Sequence, residues 1–147
     1  MIFSLEKIED IWDELLVNYE AHWHETEEYR HGQELNMDKT RYLQYENMGL
    51  YFMYTARDEG KLVGNFGMYV MPSMHTQKLV ATEDTLFMIP EYRKGGNAMR
   101  FSKFVEDEMI EKGVCEIVLT AKLTNRSWKF MERMGYERVA YVYSKQF

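Results

Sequence analysis

Apolar side chains recur along the chain with two different periods, and the change from one to the other lays out the elements. Ile8, Ile11, Trp12, Leu15, Leu16 and Tyr19 follow at steps of three and four, which predicts an amphipathic helix with its stripe in the core. Ile2-Phe3-Ser4 before it reads as a short strand. Asp38 is placed to cap a second helix that runs to about Met48 and stops at Gly49. The period then falls to two. Leu50 to Arg57 and Leu62 to Met71 read as strands joined by a hairpin turn at Asp58-Glu59-Gly60-Lys61. Gly64 and Gly67 weaken the second of these strands and mark a twist or bulge. Pro72-Ser73 opens the next turn, and Lys78 to Ile89 is a third strand. From Asn97 to Lys112 the helical period returns, with Phe101, Phe104, Val105 and Met109 on one side and Gly113 as a stop. Val114 to Thr120 is a short strand with Cys115, Ile117 and Leu119 on one face. A last helix starts at Asn125 or Ser127 and ends at Met134-Gly135, and Arg138 to Ser144 is a final strand. The predicted order is β-α-α-β-β-β-α-β-α-β: an antiparallel meander, then a βαβ crossover, giving an α/β fold with a mixed, mostly antiparallel sheet and helices on both faces. One domain spanning 1–147 is expected at this length.

Composition narrows the classes. A formal charge of -6 argues against a long nucleic-acid track, which needs clustered Lys and Arg, and suits a cationic substrate or simple solubility. Cys115 is the only cysteine, so an internal disulfide or a cysteine metal cluster is excluded, and it reads as a small buried hydrophobe rather than a nucleophile. Met1-Ile2-Phe3-Ser4-Leu5-Glu6 turns acidic with no basic region before it, and no apolar run approaches the roughly 18 residues of a membrane helix. A soluble cytoplasmic chain without signal peptide or membrane association is expected.

Two stretches carry candidate chemistry. His22-Trp23-His24-Glu25-Thr26-Glu27-Glu28-Tyr29-Arg30-His31 holds three of the four histidines. Three readings are open for it: a metal site, for which it lacks a zincin-like spacing; a solvated loop between helices; or the lining of a cleft on the acceptor side. The second stretch is Arg93-Lys94-Gly95-Gly96-Asn97-Ala98, set between the strand end Thr85-Leu86-Phe87-Met88-Ile89-Pro90-Glu91-Tyr92 and a helix. Helix first turns leave backbone N–H groups unpaired at the positive end of the dipole, glycines allow close approach, and Arg93 and Lys94 add charge, so this element suits a pyrophosphate. It lacks the P-loop pattern and matches the dinucleotide fingerprint poorly, but it fits [QR]-x-x-G-x-[GA] with Arg93, Gly96 and Ala98 on the marked positions.

That pattern resembles the acyl-CoA loop of the GNAT (GCN5-related) N-acetyltransferases. Two further features agree: the strand end with Pro90-Glu91-Tyr92-Arg93 before the loop, and Asn125-Arg126-Ser127-Trp128-Lys129-Phe130-Met131-Glu132-Arg133-Met134-Gly135-Tyr136, similar to the family's late Asn…Phe-Tyr…Gly-Phe segment. The resemblance is good over residues 50 to 143 and positional for the first two helices. It implies the GNAT acyl-CoA N-acyltransferase fold, with acetyl-CoA as co-substrate and no metal. Backbone amides of Lys94, Gly95, Gly96, Asn97 and Ala98 would hold the pyrophosphate with Arg93 nearby. Main-chain groups of Phe87 and Met88 would pair with the pantetheine arm, Met88 N–H would polarise the thioester carbonyl, and Asn125 would bond the arm unless it is only a helix cap. An amine acceptor with pKa about 10.4 must lose a proton before it attacks, which calls for a carboxylate near the end of the strand. Glu83 and Asp84 stand there, on opposite faces by alternation; spacing back from Arg93 makes Asp84 resemble the catalytic carboxylate of diamine and polyamine acetyltransferases, with Glu83 in reserve, and a solvated acidic pair is the plain alternative.

Met131 departs from the pattern. Many family members carry a tyrosine there as acid to the leaving thiolate, and a thioether donates no proton. Tyr92, Tyr136, Tyr141 and Tyr143 are open as substitutes, and a thiolate leaves tolerably without one. The leading expectation is transfer of acetyl from acetyl-CoA to a primary amine, a small cationic molecule or a protein Lys or N-terminus, by direct attack. The alternative is a weak or inactive CoA-binding module. An acidic mimic that blocks a nucleic-acid-binding partner is a third reading, which the intact loop argues against. Homodimers are common in the family.

Overall fold

The computed structural model describes residues 1–32 and 34–147. Its order is β1 (Ile2–Leu5), α1 (Ile8–Thr26), α2 (Glu28–His31), α3 (Lys39–Asn47), β2 (Tyr51–Asp58), β3 (Lys61–Pro72), β4 (Leu79–Met88), a 3-10 turn (Pro90–Tyr92), α4 (Asn97–Glu111), β5 (Val114–Val118) and α5 (Ser127–Arg133). The strands form one sheet in the order β1-β2-β3-β4-β5. The first three pairings are antiparallel and β4–β5 is parallel, the crossover being made by α4. The sheet has a core on each face. Ile8, Ile11 and Leu15 of α1 pack on Tyr51, Met53 and Leu62. On the other side Phe101, Val105 and Met109 of α4 pack on Tyr54, Phe66 and Met68. Alternation along β2 sends Tyr51 and Met53 to one core and Tyr54 and Ala56 to the other.

Two irregularities of β4 shape the middle of the molecule. Met68 pairs with Glu83 and Gly67 with Thr85, so Asp84 is an extra residue in a bulge, and the bulge turns Asp84 and Thr85 toward the α1 face together. The glycine signal in β3 thus marks a bulge, with a specific cause: a Cβ on Gly67 would stand 2.0 Å from Tyr51 Oη and 3.0 Å from Thr85 Cγ2. The second irregularity is separation. β5 pairs with β4 only over Leu79 to Thr82, so from Glu83 onward β4 has a free edge and a wedge opens between the two strands.

Three expectations are corrected. The stretch from His22 to His31 is no loop: α1 continues to Thr26 and α2 follows at once. Pairs at i and i+4, His24 with Glu28 and His31 with Glu27, support this end, and Trp23 Nε1 donates to Gly32 O at 2.9 Å. Residues 138–144 form no strand and the sheet ends at β5. The segment instead crosses toward α2, where Arg30 Nη2 donates to Ser144 Oγ at 2.8 Å and Gln146 Nε2 to Arg30 O at 3.0 Å. Its Val139, Tyr141, Val142 and Tyr143 lie exposed and pair with no strand. Cys115 is exposed, not buried, because Val114 takes the place in the α4 core and alternation turns Cys115 to the other face.

The contact at Gly67 is testable. Gly67→Ala should lower stability by about 1–3 kcal/mol, read as a shift in urea midpoint, and the loss should shrink in a Tyr51→Phe background, which removes the hydroxyl that the methyl strikes. Equal losses in both backgrounds would refute the steric account.

Candidate active site

The wedge below β4 is a cavity of about 610 Å³. Glu83, Asp84, Leu86, Phe87 and Met88 form its β4 wall, α1 contributes His22, Glu25 and Thr26, and Asn125, Phe130 and Met131 close it from the α5 side. A second cavity of about 390 Å³ lies against it, walled by Tyr19, Trp23, Tyr42, Tyr45, Tyr69 and Arg41. Asp84, His22 and Glu27 border both.

The tyrosines converge on one carboxylate oxygen. Tyr51 Oη donates to Asp84 Oδ2 at 2.8 Å and Tyr42 Oη at 3.2 Å. Tyr19 Oη stands 3.4 Å from the same oxygen and 3.3 Å from Tyr51 Oη. Burial raises all three phenols above their usual range, and the Asp84 charge adds to the effect, so they remain protonated donors. Glu83 reaches the wedge from the opposite face, and its Oε2 accepts from Thr120 N at 3.2 Å.

The glycine turn lies at the other end of the wedge. Gly95 and Gly96 have φ of 63° and 76°, and Gly96 precedes α4 without any side-chain cap. The opening amides of α4 are therefore free of side-chain acceptors at the positive end of the dipole. Arg100 Nη1 holds Gly95 O at 2.8 Å and Asn97 Nδ2 holds Tyr92 O at 2.9 Å, which fixes the turn. Arg93 is fully engaged: Nε donates to Met88 O at 2.7 Å, and Nη1 and Nη2 fork onto Glu25 at 2.9 and 2.6 Å. The fork holds the Glu25 carboxyl below its ordinary range. Met88 O thus faces the open edge of β4. In an antiparallel ladder the N–H and C=O of one residue point the same way, so Met88 N–H faces it too. Ile89 N, one residue on, donates to Val63 O of β3 at 2.8 Å.

Of the residues singled out in the sequence, Glu83, Asp84, Phe87, Met88, Arg93, Ala98 and Asn125 border the one cavity, while Lys94, Gly95, Gly96 and Asn97 form the adjoining turn. Asn125 Oδ1 accepts from Ser127 N at 2.9 Å and Ser127 Oγ at 2.6 Å, so it caps α5 and only its amide nitrogen is left to serve a ligand. Met131 stands on the cavity wall, and Tyr92, Tyr136, Tyr141 and Tyr143 do not. Among the described residues no group of three or more His, Cys, Asp or Glu is placed to hold a metal ion.

Of the three readings of the stretch from His22 to His31, lining of a cleft fits, since His22, Trp23 and Glu27 border the tyrosine cavity and His22, Glu25, Thr26 and Glu27 the wedge; Lys122, Tyr42, Tyr45 and Tyr69 were not foreseen as wall residues. His22 packs its ring on Phe87 with centroids 5.4 Å apart, and burial keeps its imidazole below its usual pKa. Lys122 lines the wedge and pairs with Glu27. Tyr19, Tyr42, Tyr45 and Tyr69 come from three elements and share no local motif. A signal for His22 did exist: the stripe Ile8, Ile11, Leu15, Asn18, Tyr19 continues in step through His22 and Thr26, changing only in polarity.

A family model described as "Acetyltransferase (GNAT) family" matches residues 8–136. No curated protein matches the chain. Among solved structures, an aminoglycoside acetyltransferase from an uncultured soil metagenomic sample, in complex with sisomicin, has a TM-score of 0.79 at 17% identity, over 99% of this chain and 96% of its own. A ribosomal-protein-alanine N-acetyltransferase from Brucella melitensis biovar Abortus 2308 has a TM-score of 0.75 at 18% identity, over 100% of both chains. A predicted acetyltransferase with acetyl-CoA from Clostridium acetobutylicum has a TM-score of 0.72 at 15% identity, over 99% of this chain and 95% of its own. At these identities the likeness speaks for the fold.

The Glu83 carboxyl is pushed up from 4.5 to about 7, chiefly by burial. A carboxyl that ionises later in the folded chain than in the unfolded one leaves stability intact below about pH 4.5, lowers it as pH rises toward 7, and adds no further change above. Glu83→Gln should remove this decline: its urea midpoint should match the wild type at pH 4.5 and exceed it at pH 8. Parallel curves would show that Glu83 titrates normally.

Proposed function

The chain belongs to the GNAT acetyltransferase family, and from that premise we propose that it transfers an acetyl group from acetyl-CoA to the nitrogen of a primary amine. The observation that carries the reading is the wedge: a free strand edge with Met88 N–H on it, an uncapped helix start at one end and two carboxylates at the other. These features fit a long thioester with a pyrophosphate in its middle. In this reading the turn from Lys94 to Ala98 and Arg93 take the pyrophosphate, Met88 and Phe87 align the pantetheine arm, and Asn125 Nδ2 bonds it. Met88 N–H then faces the thioester oxygen, where negative charge grows during attack.

The acceptor enters by the tyrosine cavity. Its aromatic walls and the carboxylates of Asp84, Glu27 and Asp38 favour a cation, with ring faces and carboxylates both attracting an ammonium. Asp84 borders both cavities and is the first proton acceptor: it holds the ammonium through the oxygen that the tyrosines orient and takes its proton, leaving the neutral amine to attack. Glu83 borders only the wedge and is bonded by Thr120 N–H, so it is the reserve for the same role. A small cationic amine suits the cavity volume; a protein N-terminus or lysine is the other acceptor of the right chemistry. One observation favours a second reading, a CoA-binding module with weak or no transfer: no tyrosine hydroxyl stands on the wedge wall near Met131.

Calorimetry separates these readings. The wild type should bind acetyl-CoA at micromolar concentration, and Gly96→Glu, which sets a side chain and a negative charge at the helix start, should not. Absence of binding by folded wild type would overturn both readings. Asp84→Asn should retain acetyl-CoA binding and lose about 10²–10⁴-fold in kcat against an amine panel, with a smaller loss for Glu83→Gln. Binding with no acetylated product from any amine would favour the module.

A further inference from the structure

On the proposed reading one proton has to travel. The attacking nitrogen carries it on the tyrosine side, and the leaving sulfur needs it on the wedge side. The three side chains that border both cavities are Asp84, Glu27 and His22. Glu27 is held in ion pairs by Lys122 and His31, and Asp84 is fixed by the phenols on its Oδ2. His22 is different. Its Nδ1 is 3.0 Å from Thr85 Oγ1, and among the described residues no protein group bonds its Nε2.

The bond to Thr85 is the end of a buried polar chain. Asn65 Nδ2 donates to Thr85 Oγ1 at 3.3 Å, and Asn18 Nδ2 donates to Asn65 Oδ1 at 3.2 Å. Asn18, Asn65 and Thr85 are 3%, 0% and 2% exposed. Three buried polar side chains from α1, β3 and β4 cost stability unless their bonds are made, and together they aim one ring nitrogen. Phe87 stacked on the ring at an angle of 27° fixes its plane.

We propose that His22 is a catalytic residue that carries the proton across the shared wall. In the tautomer this step uses, Nδ1–H donates to Thr85 Oγ1 and Nε2 carries the lone pair; Nε2 accepts the proton from the amine nitrogen as the N–C bond forms, and the resulting imidazolium returns it to the sulfur as the C–S bond breaks. The amine loses one proton, the thiol gains one, and His22 ends as it began, so no other reactant is needed. The step also answers Met131, because the acid that the wedge lacks is generated by the base step itself. Charged groups face the ring from every side: Glu25 and Glu27 at the end of α1, Glu83 and Asp84 on β4, Arg93 on the glycine turn and Lys122 after β5. The carboxylates favour the imidazolium, Lys122 and Arg93 oppose it, and burial outweighs both, which leaves a neutral ring able to accept. Thr85 is a positioning residue, acting through His22.

The test has one arm that needs no turnover. The ring Cε1–H signal of His22 is assigned in the folded wild type by elimination, using Gln variants of the exposed His24, His31 and His75. Addition of CoA should shift this signal and move its titration midpoint, and Thr85→Val should also move it. In the second arm, His22→Gln should bind acetyl-CoA within about threefold of the wild type while kcat falls about 100-fold or more, and added imidazole should restore part of the rate of His22→Ala. An unmoved His22 signal with CoA bound, or a kcat for His22→Gln within about threefold of the wild type, would overturn the proposal. Wild type that fails to bind acetyl-CoA at all would fell the acetyltransferase reading and this step with it.

Discussion

The hydroxyl of Tyr51 stands in the space that a side chain on residue 67 would need, 2.0 Å from where its Cβ would lie, and from there it donates to Asp84 at 2.8 Å. Three neighbouring strands are thereby fitted to one another at a single point. β2 supplies a long phenol, β3 an absence of side chain, and β4 an extra residue. Without the glycine the phenol has no room, and without the phenol the extra residue loses the shortest of its three phenol contacts. The bulge then does the rest: with Asp84 and Thr85 turned to the same side, one carboxylate and one hydroxyl face α1 together, where regular alternation would have sent one of them away.

The electrostatics follow from that geometry. The chain is acidic overall, yet its positive groups near the wedge are local and directional: an uncapped helix start, an arginine fork and a lysine paired across to α1. On the acceptor side the order is reversed, with protonated phenols oriented around a carboxylate. On the proposed reading, substrate anion and substrate cation would be drawn to opposite ends of one passage, and the reacting atoms would meet between them. Burial raises the Glu83 carboxyl and lowers the His22 imidazole, so the two groups respond to the same desolvation in opposite senses.

Much of this was legible in the residues. The hairpin at Asp58 to Lys61, the crossover through α4 and the cap at Asp38 rest on local rules, and Asp38 Oδ1 does accept from Arg41 N at 3.1 Å. The glycine turn was legible because its chemistry is backbone chemistry. What depended on partners was not. Residues 138–144 have strand composition yet pair with no strand, Cys115 has a strand position on the face turned from the α4 core, and nothing local marks Tyr19, Tyr42 and Tyr51 as sharing one oxygen. His22 fell between the two cases. Its place on the α1 stripe was readable, but its use was hidden, because polar residues at the end of an apolar stripe suggest an exit from the core when here they mark an entry into a cavity.

The fork between Arg93 and Glu25 has a further effect. Both terminal nitrogens of the Arg93 guanidinium are already engaged by Glu25 of α1, and Nε by Met88 O. On the proposed reading, phosphate oxygens reaching Arg93 would enter by replacement, trading places with a carboxylate three residues along from His22. A small singly charged anion gains little from such a trade, whereas a pyrophosphate also collects the amides of α4. On that reading the internal carboxylate would be a resident counter-ion, and an anion would have to outcompete it, by valence and length, to hold Arg93.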